Sequence, residues 1–151
     1  MKKLYEKSSI WFAVAWIIAY CVLLSVGDSL SDVIGIQKAI TLPVALLLSV
    51  ILFVFLKKNH LCEEYGLCHS AVPTASMLYY LPVIFMLSAN LWFGVTLNYG
   101  VAETVLYILS MFCVGFLEEV IFRGLLFGAM RKENLTSAII VSSVTFGIGH
   151  I

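Results

Sequence analysis

Apolar residues along this chain gather into long runs separated by short polar breaks. Segment one covers roughly Ile10–Val26, and the polar stretch GDSLSDVIGIQ after it, with Asp28 and Asp32, reads as a loop. Segment two covers roughly Ala39–Leu56 and ends at Lys57-Lys58; Asn59–Thr74 is the longest polar stretch. Segment three covers roughly Met77–Val95, with Pro82 near its start as a candidate kink, because a helix-interior proline removes one backbone hydrogen bond. Segment four covers roughly Val101–Met130, and segment five runs from near Ser137 to the end. A helix over segment four would reach ~45 Å, more than a ~30 Å hydrocarbon layer, so it must tilt, bend or protrude. These runs predict an all-α, multi-pass transmembrane helical bundle in one membrane domain, 1–151, with four full spans and an incomplete fifth.

Composition agrees with that class. Of 151 residues, 62% are hydrophobic and 12% charged, against roughly 45–50% and about 25% in soluble domains. Net charge is zero, so there is no basic footprint for nucleic acid. The basic residues cluster as Lys2, Lys3 and Lys7, then Lys57 and Lys58, then Arg131 and Lys132, while the intervening loops hold only Lys38. The positive-inside rule then places the chain in the cell (plasma) membrane with a cytoplasmic N-terminus. MKKLYEKSS resembles a signal-peptide n-region, but no small-residue cleavage site follows, so the first span is expected to be retained.

Candidate chemistry concentrates in Gly115–Met130, GFLEEVIFRGLLFGAM. Glu118, Glu119 and Arg123 lie within an apolar run, where a charge costs roughly 2.5–3.5 kcal/mol on insertion scales. Such residues usually face the bundle interior and pair. Glu119 and Arg123 are spaced i, i+4 and should form a charge-assisted pair. Glu118 points about 100° away from Glu119 and has no partner on its own helix. A desolvated carboxyl without a charged partner favours the acid/base role. His150 is the only histidine in an apolar run. Segments four and five are joined by a short loop and should be antiparallel neighbours. Glu118 lies ~18 Å in from Met130 and His150 ~20 Å in from Ser137, so the two match in depth. Gly124 and Gly128 form a GxxxG pair, and Ser143 and Gly147 share the His150 face, as close helix packing would use.

EEVIFRG followed by FGIGH resembles the CPBP, or Abi, family of CAAX prenyl endopeptidases and bacteriocin-processing or self-immunity proteins. Glu118, Glu119 and Arg123 match its EExxxR motif, with Phe122 and Gly124, and Phe146 and His150 match its FxxxH motif. The resemblance implies catalytic residues Glu118 and His150, which would activate water against a peptide carbonyl inside the membrane. It implies structural support of the site from the Glu119–Arg123 pair and Phe146. The family carries further helices, with another histidine and an Asn or Asp, so the chain reads as C-terminally truncated. Substrates would be peptides or proteins, including lipid-modified ones, and a homo-oligomer or complementing membrane partner is compatible with an incomplete site. The family is labelled metalloprotease, and a divalent metal such as zinc stays open: one Glu and one His are fewer than the three protein ligands a catalytic zinc uses. The loop residues His60, Cys62, Cys68 and His69 do not have usual structural-zinc spacing and read as solvated, as do Glu63-Glu64. Two other readings remain: a non-catalytic immunity or scaffold protein, in which the charges are structural, and a proton carrier using Glu118 as a relay.

Overall fold

A computed structural model describes residues 1–68, 72–82, 84–86 and 100–148. Regular structure among the described residues is helical: α1 (Lys2–Lys7), α2 (Ser9–Ile34), α3 (Thr41–Lys58), a 3₁₀ segment (Thr74–Tyr80), α4 (Val101–Glu118), a π-helical stretch (Glu119–Leu126), α5 (Phe127–Met130) and α6 (Leu135–Ile148). The chain separates into two compact units, Met1–Leu67 with Val101–Ile151, and Cys68–Gly100. Among the described residues, three helical stretches are long and apolar enough to cross a membrane: Ser9–Ile34, Thr41–Lys58 and the continuous Val101–Met130. Leu135–Ile148 is apolar but shorter. The chain is thus a multi-pass helical membrane bundle. Most of segment three lies outside the described residues, and with it the fourth full span. Within the smaller unit, the Tyr79 and Tyr80 rings stack at 4.1 Å.

The first helix is longer than its apolar run. GDSLSDVI belongs to α2, which continues to Ile34 and stops at Gly35, whose φ of 79° is a left-handed cap. The polar residues read as loop instead tie α2 to the start of α3. Thr41 donates to Asp28 at 2.6 Å, and Lys38 pairs with the same Asp28 oxygen at 2.7 Å. Ser31, 1% exposed, donates to the Gly27 carbonyl at 2.8 Å. Its oxygen accepts the Ile40 N–H at 3.0 Å. Ile40, the N-cap position of α3, supplies no side-chain cap of its own, so a serine from the preceding helix does that work. Helix ends need such partners, and alternating hydrophobicity does not reveal them.

The opposite end carries an aromatic core. Phe12 of α2 lies 4.9 Å from Phe55 of α3, and Tyr5 of α1 meets both edge-on. Tyr5 and Tyr65 hydroxyls bond at 2.8 Å. Lys132 pairs with Glu64 at 2.6 Å, so Glu64 is an anchor of its loop and not only solvated. These contacts bring α1, the loop after α3 and the turn after α5 to one end. The three basic clusters of the sequence accordingly share one end of the main unit.

Candidate active site

The site begins where α4 changes its winding. Val101–Glu118 is α-helical, and Glu119–Leu126 continues as π-helix. The Phe127 N–H reaches the Phe122 carbonyl, five residues back, as a π turn requires. Such insertions are rare and occur frequently at functional sites. Here the change falls between the two adjacent glutamates.

The glutamates are treated differently. Glu118 is half-buried beside Leu117, which is fully buried. Tyr20 of α2 donates its hydroxyl hydrogen to Glu118 Oε1 at 2.7 Å. Glu118 therefore has a partner across the bundle. Glu119 turns to Arg123, with Nη1 at 3.0 Å from Oε1 and 3.2 Å from Oε2. The expected i, i+4 pair forms, but it does not face the interior. Both side chains are more than half exposed in the chain by itself. The buried positions of this turn are Val120, Ile121, Phe122, Gly124, Leu125 and Leu126. Each is apolar or glycine, so the hydrophobic residues take the protein-facing side and the ion pair takes the other.

Helix α6 meets this turn through Phe146. Its ring lies 5.8 Å from Phe122 in an edge-to-face contact, and the Arg123 guanidinium sits over it at 5.4 Å. Phe122 in turn meets Tyr20 edge-on at 6.4 Å. The chain of contacts is Glu118, Tyr20, Phe122, Phe146, Arg123 and Glu119. It joins α2, the π turn and α6 around one point. Phe146 thus packs against Phe122 and Arg123 of the first motif. His150 lies outside the described residues.

The glycine pair has a different neighbour from the one expected. A Cβ on Gly124 would meet Tyr65 at 3.5 Å, and one on Gly128 would meet the Tyr65 ring at 2.9 Å. A Cβ on Gly147 would meet nothing within 4 Å. Gly124 and Gly128 therefore seat the loop tyrosine, whereas α6 approaches through the aromatic and arginine side chains. A cavity of about 350 Å³ lies beside this seat, lined by Glu63, Tyr65, Arg123, Gly128 and Arg131 among others. Burial and the bond to Tyr5 push the Tyr65 phenol above its ordinary pKa.

Among the described residues no three of His, Cys, Asp or Glu converge as metal donors.

Tyr20 escapes a reading of the sequence. It is the only tyrosine in the first apolar run, which is a faint signal, but it stands 98 residues from Glu118. No local pattern connects them.

A carboxyl inside a helical membrane bundle, backed by a phenol and flanked by an Arg–Glu pair, defines a class: a polytopic membrane protein with a half-buried acid/base candidate. Residues 100–151 match the family model described as type II CAAX prenyl endopeptidase Rce1-like. This third of the chain is similar to that family, and it contains both motifs that resemble the CPBP family. No curated protein and no solved structure matches the chain.

Proposed function

We propose that the chain acts as a membrane-embedded endopeptidase of the CAAX prenyl type, with Glu118 as general base and His150 as its partner on water. The observation that carries this reading is the separation of the two glutamates. Glu119 is neutralised by Arg123 on the open side of the helix, while Glu118 points across the bundle to Tyr20. Of the two glutamates, Glu118 is the one positioned for proton transfer, and the family match encloses it.

Glu118 takes one proton from water, and the oxygen so activated adds to the scissile carbonyl carbon. The tetrahedral adduct collapses as the C–N bond breaks, and the proton on Glu118 passes to the leaving nitrogen. One water is consumed, and one carboxylic acid and one amine are released. His150 would hold the attacking water. The Phe122–Phe146 contact supports that assignment, because in the sequence Phe122 follows Glu118 by four residues and Phe146 precedes His150 by four. The Arg123–Phe146 contact keeps α6 in register with the π turn.

The gathering of the three basic clusters supports a cytoplasmic placement of that end, with the membrane taken to be the plasma membrane. Substrates are then presented from that side as peptides bearing a prenylated cysteine. The test is cleavage of an internally quenched, farnesylated CAAX peptide by the full chain in vesicles. Glu118→Gln keeps the shape and loses the base, so cleavage should vanish. Cleavage that persists in Glu118→Gln overturns the reading and leaves a scaffold role without chemistry.

A further inference from the structure

We propose that Tyr20 is a positioning residue for Glu118, fixing the carboxylate plane from the neighbouring helix. The inference rests on the reading of Glu118 as the base.

The buried stripe of α2 consists of Phe12, Ala13, Trp16, Tyr20, Leu24, Gly27 and Ser31. Gly27 and Ser31 belong to the polar joint with α3. Between Phe12 and Leu24, Tyr20 alone carries a hydroxyl. Only 8% of the residue is exposed. Its ring is wedged edge-on against Phe122, with an interplanar angle of 87°. Phenylalanine would satisfy that packing equally well, so packing does not require the hydroxyl. A buried phenol without a partner would cost stability, and this one reaches Glu118 Oε1 at 2.7 Å.

The bond matters for chemistry because the terminal torsion of a glutamate is broad. A carboxylate held only by its own chain samples many planes. Tying one oxygen to a phenol on a packed helix selects one of them. Low local dielectric strengthens a hydrogen bond to a charged acceptor. Holding a reacting group in one geometry is a principal source of rate, and small misplacements are costly. The phenol does not touch substrate in this scheme. It acts through Glu118, and Phe122 aims it.

The experiment compares Tyr20→Phe with the parent chain in the same vesicles and with the same farnesylated peptide. Loss of a hydrogen bond to a charged group should lower kcat about 10- to 100-fold, with KM within about twofold and the thermal midpoint near that of the parent. Isotope-edited infrared spectra supply an independent readout. The carboxyl band removed by Glu118→Gln should shift in Tyr20→Phe. A packing role alone would lower the thermal midpoint and leave kcat of the folded protein unchanged. Parental kcat in Tyr20→Phe, or a Glu118 band that does not move, overturns the proposal. If Glu118→Gln is inactive while Tyr20→Phe is fully active, only the Tyr20 assignment fails. If Glu118→Gln remains active, the base assignment fails first.

Discussion

The Tyr65 ring lies over Gly128, so near that a Cβ on that glycine would stand 2.9 Å from the ring's Cε1. The ring cannot simply retreat. Tyr65 is 8% exposed, and its hydroxyl is held by Tyr5 at 2.8 Å. Gly128→Ala should therefore destabilise the protein by about 1–3 kcal/mol through overpacking. Gly124→Ala makes an ordinary contact at 3.5 Å and Gly147→Ala meets nothing within 4 Å, so both should be close to neutral. Thermal unfolding of the three variants in detergent checks the order. Equal effects would mean that the tyrosine seat does not exist in the membrane protein.

The same tyrosine gives the fold an alkaline limit. The folded protein holds the Tyr65 proton more tightly than the unfolded chain does, whose phenol has the ordinary value of 10.0. A raised folded pKa contributes stability that is complete below the unfolded value. That contribution is lost as pH rises from about 10 towards the folded value. Thermal midpoints should be flat in this respect below pH 9 and fall above pH 10. Tyr65→Phe should flatten the alkaline fall. A parallel decline in parent and variant would assign it to other groups.

Ser31 is the hinge pin of the α2–α3 joint. Ser31→Ala removes the acceptor of the Ile40 N–H and leaves that part-buried donor without it at a helix start. The expected cost is about 1–3 kcal/mol. Ser29 serves as the control, because its exposed hydroxyl bonds only the Ser25 carbonyl of its own helix. Ser29→Ala should change stability by less than about 0.5 kcal/mol. Denaturation midpoints of the two variants decide it.

Arg123 makes two contacts that lysine cannot reproduce together. Its guanidinium reaches both oxygens of Glu119 and lies over Phe146. Arg123→Lys keeps the charge but loses the flat face that lies over Phe146. If α6 is positioned through that stack, peptide cleavage should fall several-fold in Arg123→Lys. Phe146→Leu should do likewise, losing about 0.5–1.5 kcal/mol of ring contact with Phe122. Combining the two should cost less than their sum, because they share one contact. Additive losses would separate their roles.

Much of this architecture is written along the chain. Apolar run length alone marks Thr41–Lys58 and Val101–Met130 as membrane-length helices, because a segment in lipid must satisfy its own backbone. The Glu119–Arg123 pair is equally local: four residues return a helix to the same face. The motif residues and their family match likewise need no coordinates. What hydropathy misjudged was the end of α2, since Asp28 and Ser31 look like loop until Thr41 and Ile40 are seen beside them. It also missed the π turn, in which the Phe127 N–H reaches back five residues to the Phe122 carbonyl. The partner of Glu118 was beyond reach for the same reason. Tyr20 and Glu118 meet only because α2 packs against the π turn, and a contact across 98 residues leaves no periodic trace in either segment. Sequence determined which of the described segments are long and apolar enough to cross a membrane and which residues carry charge into them. Tertiary packing decided which way each charge faces, because a neighbouring helix offers the half-buried Glu118 carboxyl a hydrogen-bond donor.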